Sequence, residues 1–151
     1  MHGLSLPLNS RLSRNLDRRS LLLVSLRVLS AGGLAVDAYI HLTLASTYDA
    51  VRTSAVSQGD LFRAEGAVAI LAAVAVLIRP RRYTAVAALT VAASGLAAVL
   101  TYRYYDVGQI GPLPAMYEPV WYGEKVRSAW SQVVASAAAL TLLLVLQHRR
   151  K

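Results

Sequence analysis

The sequence predicts an all-α protein, a four-transmembrane-helix bundle with N and C termini cytoplasmic. Three observations predict it. Hydrophobic residues make up 56% of the 151 residues, above the roughly 45–50% of ordinary soluble domains even when glycine is counted. They fall into four blocks of about twenty residues, the length that crosses a bilayer, and the chain's mean hydropathy is +0.45. The third block, residues 83–102, contains no charged residue, which argues against the competing reading of an alanine-rich soluble bundle.

Residues 1–20 form a basic cytoplasmic tail, with Arg11, Arg14, Arg18 and Arg19 set against Asp17. Such a tail suits an anionic leaflet, in part as an interfacial helix. A basic start before Leu21, Leu22, Leu23 and Val24 also resembles a secretory signal. Arg27 interrupts that apolar core, however, and the hydrophobic pattern runs on to Ser46. An uncleaved first span over 21–46 is therefore expected, with the Arg27 guanidinium snorkelling to the headgroups.

A polar loop follows, and Asp60 or Gly59 is the expected N-cap of a second span over 61–78. Arg79, Pro80, Arg81 and Arg82 end it, since proline cannot continue a helix and arginines mark an interface. The short connection makes spans two and three an antiparallel hairpin. In the third span, 83–102, the small residues Gly95 and Ala98 share a face with Tyr102, which allows close helix contact. A long stretch rich in Tyr, Trp, Pro and Gly precedes the fourth span, 126–146, and residues 147–151 form a basic cytoplasmic end.

Orientation follows from the arginines. Eleven of the sixteen basic residues lie in the N-terminal tail and its junction (Arg11, Arg14, Arg18, Arg19, Arg27), the hairpin (Arg79, Arg81, Arg82) and the C-terminus (Arg149, Arg150, Lys151). Arg52, Arg63, Arg103, Lys125 and Arg127 fall on the other side. By the positive-inside rule both termini are cytoplasmic, in a multi-pass protein of the plasma membrane.

Asp37 and His41 are the pair of most interest, because an acid and an imidazole four residues apart share one helix face. If the first helix leaves the bilayer near Ser46, the helical rise puts His41 ~8 Å and Asp37 ~14 Å below the outer boundary. Ionisable groups there are costly and mark function by default. Arg63 and Glu65 approach from the second span and Tyr102 and Arg103 from the third. Lys125, Arg127, Trp130 and Gln132 begin the fourth. Together they suggest a polar extracytoplasmic pocket. Asp37 is read either as a proton-exchanging or cation-binding carboxylate, or as the structural partner of Arg63 or Arg103. His41 is read as a pH-sensitive donor, a metal ligand or a hydrogen-bonded structural group. Asp37, His41 and Glu65 make a conceivable metal triad, although no local ligand spacing supports it.

The aromatic loop is read either as an interfacial belt or as a lid or partner surface, with Met116, Tyr117, Glu118, Trp121 and Tyr122 as the contact residues. Its prolines, Pro112, Pro114 and Pro119, lower the entropy of ordering it.

Several chemistries are not expected. The chain has no cysteine, which removes iron–sulfur clusters and thiol redox cycling. His2 and His148 sit at the cytoplasmic ends, so His41 lacks a second histidine for bis-His haem ligation. No nucleophile elbow or phosphate loop is present. The net charge of +8 reads as orientation and headgroup attraction. Without a nucleic-acid-binding motif, nucleic acid is not an expected partner.

The segments His41-Leu42 with Tyr48, Ser57-Gln58-Gly59-Asp60-Leu61-Phe62-Arg63, and Tyr102-Arg103-Tyr104-Tyr105-Asp106 through Met116-Tyr117-Glu118-Pro119-Val120-Trp121-Tyr122 resemble a group of small four-helix membrane proteins from actinobacteria. The likeness covers about residues 25–146, and the layout is more loosely similar to the DoxX-like superfamily. That resemblance implies a plasma-membrane bundle, often with an accessory role beside an oxidoreductase. It lends no catalytic residue, and this chain lacks the cysteines some members use.

The expected function is thus a non-catalytic accessory or interaction subunit whose partners are the lipid bilayer and another membrane or envelope protein. A homo-oligomer is left open. The alternative is a site for a small ligand, quinone, metal ion or proton at Asp37, His41, Arg63 and Glu65. An independent enzyme ranks third.

Overall fold

A computed structural model describes residues 8–148. Residues 1–7 of the tail and Arg149, Arg150 and Lys151 of the basic end lie outside the described residues. The fold is all-helical, as predicted. Helix α1 (Leu8–Leu44) continues into a 3-10 turn (Ala45–Tyr48); α2 (Gln58–Ile78), α3 (Arg82–Tyr104) and α4 (Gly123–Gln147) follow. Each of the four carries a segment long and apolar enough to cross a membrane. Among the described residues there is no strand, only two isolated bridges in the loops, Arg52 with Ser57 and Ile110 with Leu113.

The helix limits differ from the expected spans for local reasons. Helix α1 begins at Leu8, so part of the basic tail is helical and runs without a break into the first span. Helix α2 starts at Gln58 because its N-cap is Ser57, not Gly59 or Asp60. The Ser57 hydroxyl accepts from the Asp60 N–H, and the Asp60 carboxylate accepts from the Ser57 N–H, a reciprocal capping box. Helix α4 starts at Gly123, with the acidic Glu124 in its first turn, where the helix dipole favours negative charge.

Consecutive helices run antiparallel. One end of the bundle therefore gathers the start of α1, the α2–α3 turn and the end of α4, the arginine end. The opposite, loop end gathers the 49–57 and 105–122 connections. Arg27 corrects an expectation at the arginine end. Its guanidinium donates to the Leu77 carbonyl, one of the last-turn carbonyls that α2 itself leaves unpaired, rather than reaching out to headgroups.

The core is built from small side chains: Ala69, Ala72, Ala85, Ala88, Ala92, Ala135 and Ala139 are buried, with Leu34, Val76 and Leu142. Larger apolar residues such as Leu21, Leu71, Ile78 and Leu140 point outward. A water-soluble bundle does the reverse. Lipid-immersed helices instead associate by close packing of small residues, the arrangement seen here.

Helix α1 packs on α2 and α4, and α3 packs on α4, while α2 and α3 touch more sparsely. Helices α1 and α4 approach closely at Gly33. A Cβ there would lie 2.6 Å from the Ser131 carbonyl oxygen and 2.9 Å from the Ala135 Cβ. This backbone-to-backbone approach fixes the register of the two helices. One turn further along α1, it sets Asp37 opposite Ser128 and Gln132.

Candidate functional site

Asp37 is fully buried, and its Oδ1 is held by three neighbours. The Ser128 hydroxyl donates at 2.6 Å and the Gln132 amide Nε2 at 2.8 Å. His41 Nδ1 lies 3.2 Å from the same oxygen and 3.0 Å from the Asp37 backbone carbonyl. Two oxygen acceptors facing Nδ1 require that nitrogen to carry the proton, so the tautomer is assigned by its partners. The predicted sharing of one face by Asp37 and His41 is therefore a direct contact. A carboxylate only accepts, which also fixes the Gln132 amide with its nitrogen toward Asp37.

Three further polar atoms of this cluster have no partner. Asp37 Oδ2, Glu65 Oε1 and Gln132 Oε1 are buried without a hydrogen bond. Glu65 and Gln132 meet on α3 at Gly95, where a Cβ would stand 2.7 Å from Gln132 Nε2 and 3.1 Å from Glu65 Oε1. Only a glycine leaves both polar groups room. All four helices thus contribute to one polar cluster: Asp37 and His41 from α1, Glu65 from α2, Gly95 from α3, Ser128 and Gln132 from α4.

Above the cluster, toward the loop end, lies a cavity of about 470 Å³. It occupies the gap where α2 and α3 separate. His41, Glu65, Gly95 and Ser128 form its polar floor, while Ile40, Leu61, Phe62, Val68 and Val99 make its walls apolar. Phe62 meets the edge of His41, with ring centres 5.0 Å apart. Below the floor the packed alanine core closes the bundle, so the cavity is a blind pocket and not a path through the molecule.

The mouth is organised by the loops. Met116, Glu118 and Tyr122 line the cavity from the α3–α4 connection. The Glu118 N–H donates to the Tyr102 carbonyl at 3.0 Å, pinning that connection to the end of α3. Lys125 Nζ donates to the Glu118 carbonyl at 2.6 Å and sits 5.1 Å above the Tyr122 ring. The Tyr48 and Tyr122 hydroxyls are hydrogen-bonded at 2.9 Å across the mouth. Burial and the Tyr48 hydroxyl hold the Tyr122 phenol well above its ordinary pKa, so it stays neutral. The Thr53 hydroxyl, donating to the Pro112 carbonyl at 2.8 Å, ties the two loops together.

Several predicted site residues lie elsewhere. Arg63 does not pair with Asp37. It is exposed and bonded to both oxygens of Asp49, at 2.7 and 2.8 Å, with Asp60 Oδ1 at 3.3 Å. The physical reason is the supply of nearer carboxylates: Asp49, just past the turn that ends α1, and Asp60, one turn before Arg63 on α2, hold the guanidinium at the loop end. The Arg63 guanidinium holds the Asp49 carboxyl below the usual aspartate range.

Arg103 is also turned from Asp37. It stacks over Tyr104 at 5.0 Å and Trp121 at 5.6 Å. Arg127 pairs with Glu124 on the exposed face, and Trp130 is exposed. The metal triad is not assembled either, since among the described residues no three His, Asp or Glu side chains gather to hold a metal ion.

His41, Glu65 and Tyr102 do line the cavity, and Asp37 lies directly behind Ser128. The aromatic loop divides its roles: Met116, Glu118 and Tyr122 face the cavity, while Tyr104, Tyr105 and Tyr117 are exposed. Sequence reasoning missed Ser128 and did not single out Tyr48 or Gln58 for the pocket. The available signal was the polar pair Ser128 and Gln132 on one face of an otherwise apolar helix, which needs a partner in the opposing span.

No protein-family model, curated protein or solved structure matches the chain.

Proposed function

We propose that this chain is a multi-pass plasma-membrane protein, both termini cytoplasmic, whose cavity opens to the extracytoplasmic side and binds a small amphipathic molecule. The observation that carries the reading is the pairing of apolar walls with a polar floor in which Glu65 Oε1 is buried without a partner. Binding sites for small molecules combine these features: concave, mostly apolar, with a few convergent polar groups. A buried unpaired acceptor costs about 1–3 kcal/mol, a cost that a bound polar head relieves. The orientation rests on the arginine end being cytoplasmic under the positive-inside rule.

The test exploits the lack of cysteine. Val99→Cys in the wall and Gln109→Cys in the loop are treated in intact cells with a membrane-impermeant maleimide. Both are expected to label, and Ala98→Trp, which fills the cavity, is expected to protect Val99→Cys alone. An unlabelled Gln109→Cys would refute the orientation. An unlabelled Val99→Cys beside a labelled Gln109→Cys would refute the open cavity.

The accessory-subunit reading draws on a different observation, the exposed Tyr104, Tyr105, Val107, Ile110 and Val120 of the α3–α4 connection. This apolar, aromatic surface suits contact with another membrane or envelope protein. Stoichiometric co-purification in mild detergent, lost when Tyr105 and Val120 are changed to Ser, is the expected result. Consistent recovery of the chain alone would refute it.

A further inference from the structure

We infer that the polar head taken by the cavity is a protonated amine, so that the ligand class is a cationic amphiphile. This rests on the cavity binding proposed above and names what that site recognises. The first ground is the type of atom left over in the floor. Glu65 Oε1 in the floor, and Asp37 Oδ2 and Gln132 Oε1 just beneath it, are all acceptors. Most of the donors are already used: Ser128 Oγ, one N–H of Gln132 Nε2 and His41 Nδ1 point at Asp37. A carboxylate, a phosphate or a quinone carbonyl would bring further lone pairs to a floor that is short of protons to share. A head rich in N–H donors brings what the floor lacks.

The second ground is charge. In and beneath the floor, two carboxylates, Asp37 and Glu65, face one imidazole, His41. At the mouth Glu118 and Lys125 carry opposite charges, and the Lys125 ammonium is held by the Glu118 carbonyl and the Tyr122 ring. The floor is therefore the negative part of the pocket, and a cation gains over a neutral donor. Gly95 leaves room for the Glu65 carboxylate and the Gln132 amide side by side. The apolar walls above then take the hydrocarbon part of the same molecule.

The experiment uses three probes with the same chain and different heads: octylamine, octanol and sodium octanoate. Each is titrated calorimetrically into the wild-type protein, Glu65→Gln and the cavity-filled Ala98→Trp, all in lipid nanodiscs, with empty nanodiscs subtracted. Octylamine is expected to bind the wild type at least about tenfold more tightly than octanol, the scale of a charge-assisted hydrogen bond. Octanoate is expected not to bind. Glu65→Gln should weaken octylamine by about tenfold or more and leave octanol unchanged.

Equal binding of octylamine and octanol, which needs no variant to detect, would overturn the amine inference while leaving the cavity reading intact. So would an unchanged octylamine affinity in a folded Glu65→Gln protein. No wild-type binding of any probe above the Ala98→Trp level would overturn both.

Discussion

Removing the Asp37 carboxylate should destabilise the protein, while neutralising it in place should not. Asp37 is completely buried, and its Oδ1 satisfies the Ser128 hydroxyl at 2.6 Å and the Gln132 amide at 2.8 Å. Asp37→Ala leaves both donors buried without an acceptor, at about 1–3 kcal/mol each. The serine can turn back to a carbonyl of its own helix, which recovers part of its loss. The opposing effect is the relief of burying a charge. The expected net loss is about 3 kcal/mol. Asp37→Asn keeps an oxygen facing the same two donors and puts an N–H₂ where Oδ2 has no partner, so it should cost less than about 1 kcal/mol. Reversible denaturation in mixed micelles, followed by the fluorescence of Trp121 and Trp130, measures both variants. Asp37→Ala as stable as wild type, or Asp37→Asn as damaging as Asp37→Ala, would refute the hydrogen-bonding account of this cluster.

Other outcomes follow from the same geometry. Gly33→Val should push α1 from α4, because its Cβ would stand 2.6 Å from the Ser131 carbonyl oxygen; a loss of about 2 kcal/mol or more is expected in the same denaturation assay. Arg63→Ala should leave cavity binding unchanged, since Arg63 pairs with Asp49 and not with Asp37; a lost octylamine titration would contradict this. The Asp49–Arg63 clasp should be present at neutral pH and open as the medium is acidified. Arg63 lowers the folded pKa of Asp49, so its stabilisation exists above the ordinary aspartate range and is lost as pH falls through the depressed value. Hydrogen exchange of residues 49–57 reads that transition, and protection unchanged down to the most acidic conditions would refute it. Tyr122→Phe should keep the fold but speed ligand release by removing the hydroxyl bonded to Tyr48, measured as a faster off-rate.

What the sequence made legible was whatever one helix carries by itself. Four apolar lengths, a charge-free third span and the one-turn spacing of Asp37 and His41 need no knowledge of neighbours, and the structure has them all. Helix rotation was not legible. These helices are apolar nearly all round, so no stripe marks the inward face, and Arg63 was offered as a partner of Asp37 although Asp49 and Asp60 at the loop end hold it. Register between helices was equally hidden. Ser128 becomes the partner of Asp37 only because Gly33 lets α1 approach α4 at Ser131 and Ala135, a consequence of missing atoms that no local pattern announces. Arg27 shows the same limit: its chemistry pointed to the headgroups, but the Leu77 carbonyl is a partner that only the packed bundle supplies.

The most direct measurement is native mass spectrometry of the chain released from its own membrane in lipid nanodiscs, wild type beside Ala98→Trp. The wild-type protein is expected to retain a discrete small amphipathic molecule that the cavity-filled variant lacks, with both variants folded. Identical spectra, carrying only bulk lipid in each case, would contradict the claim that the polar floor and apolar walls exist to hold a ligand.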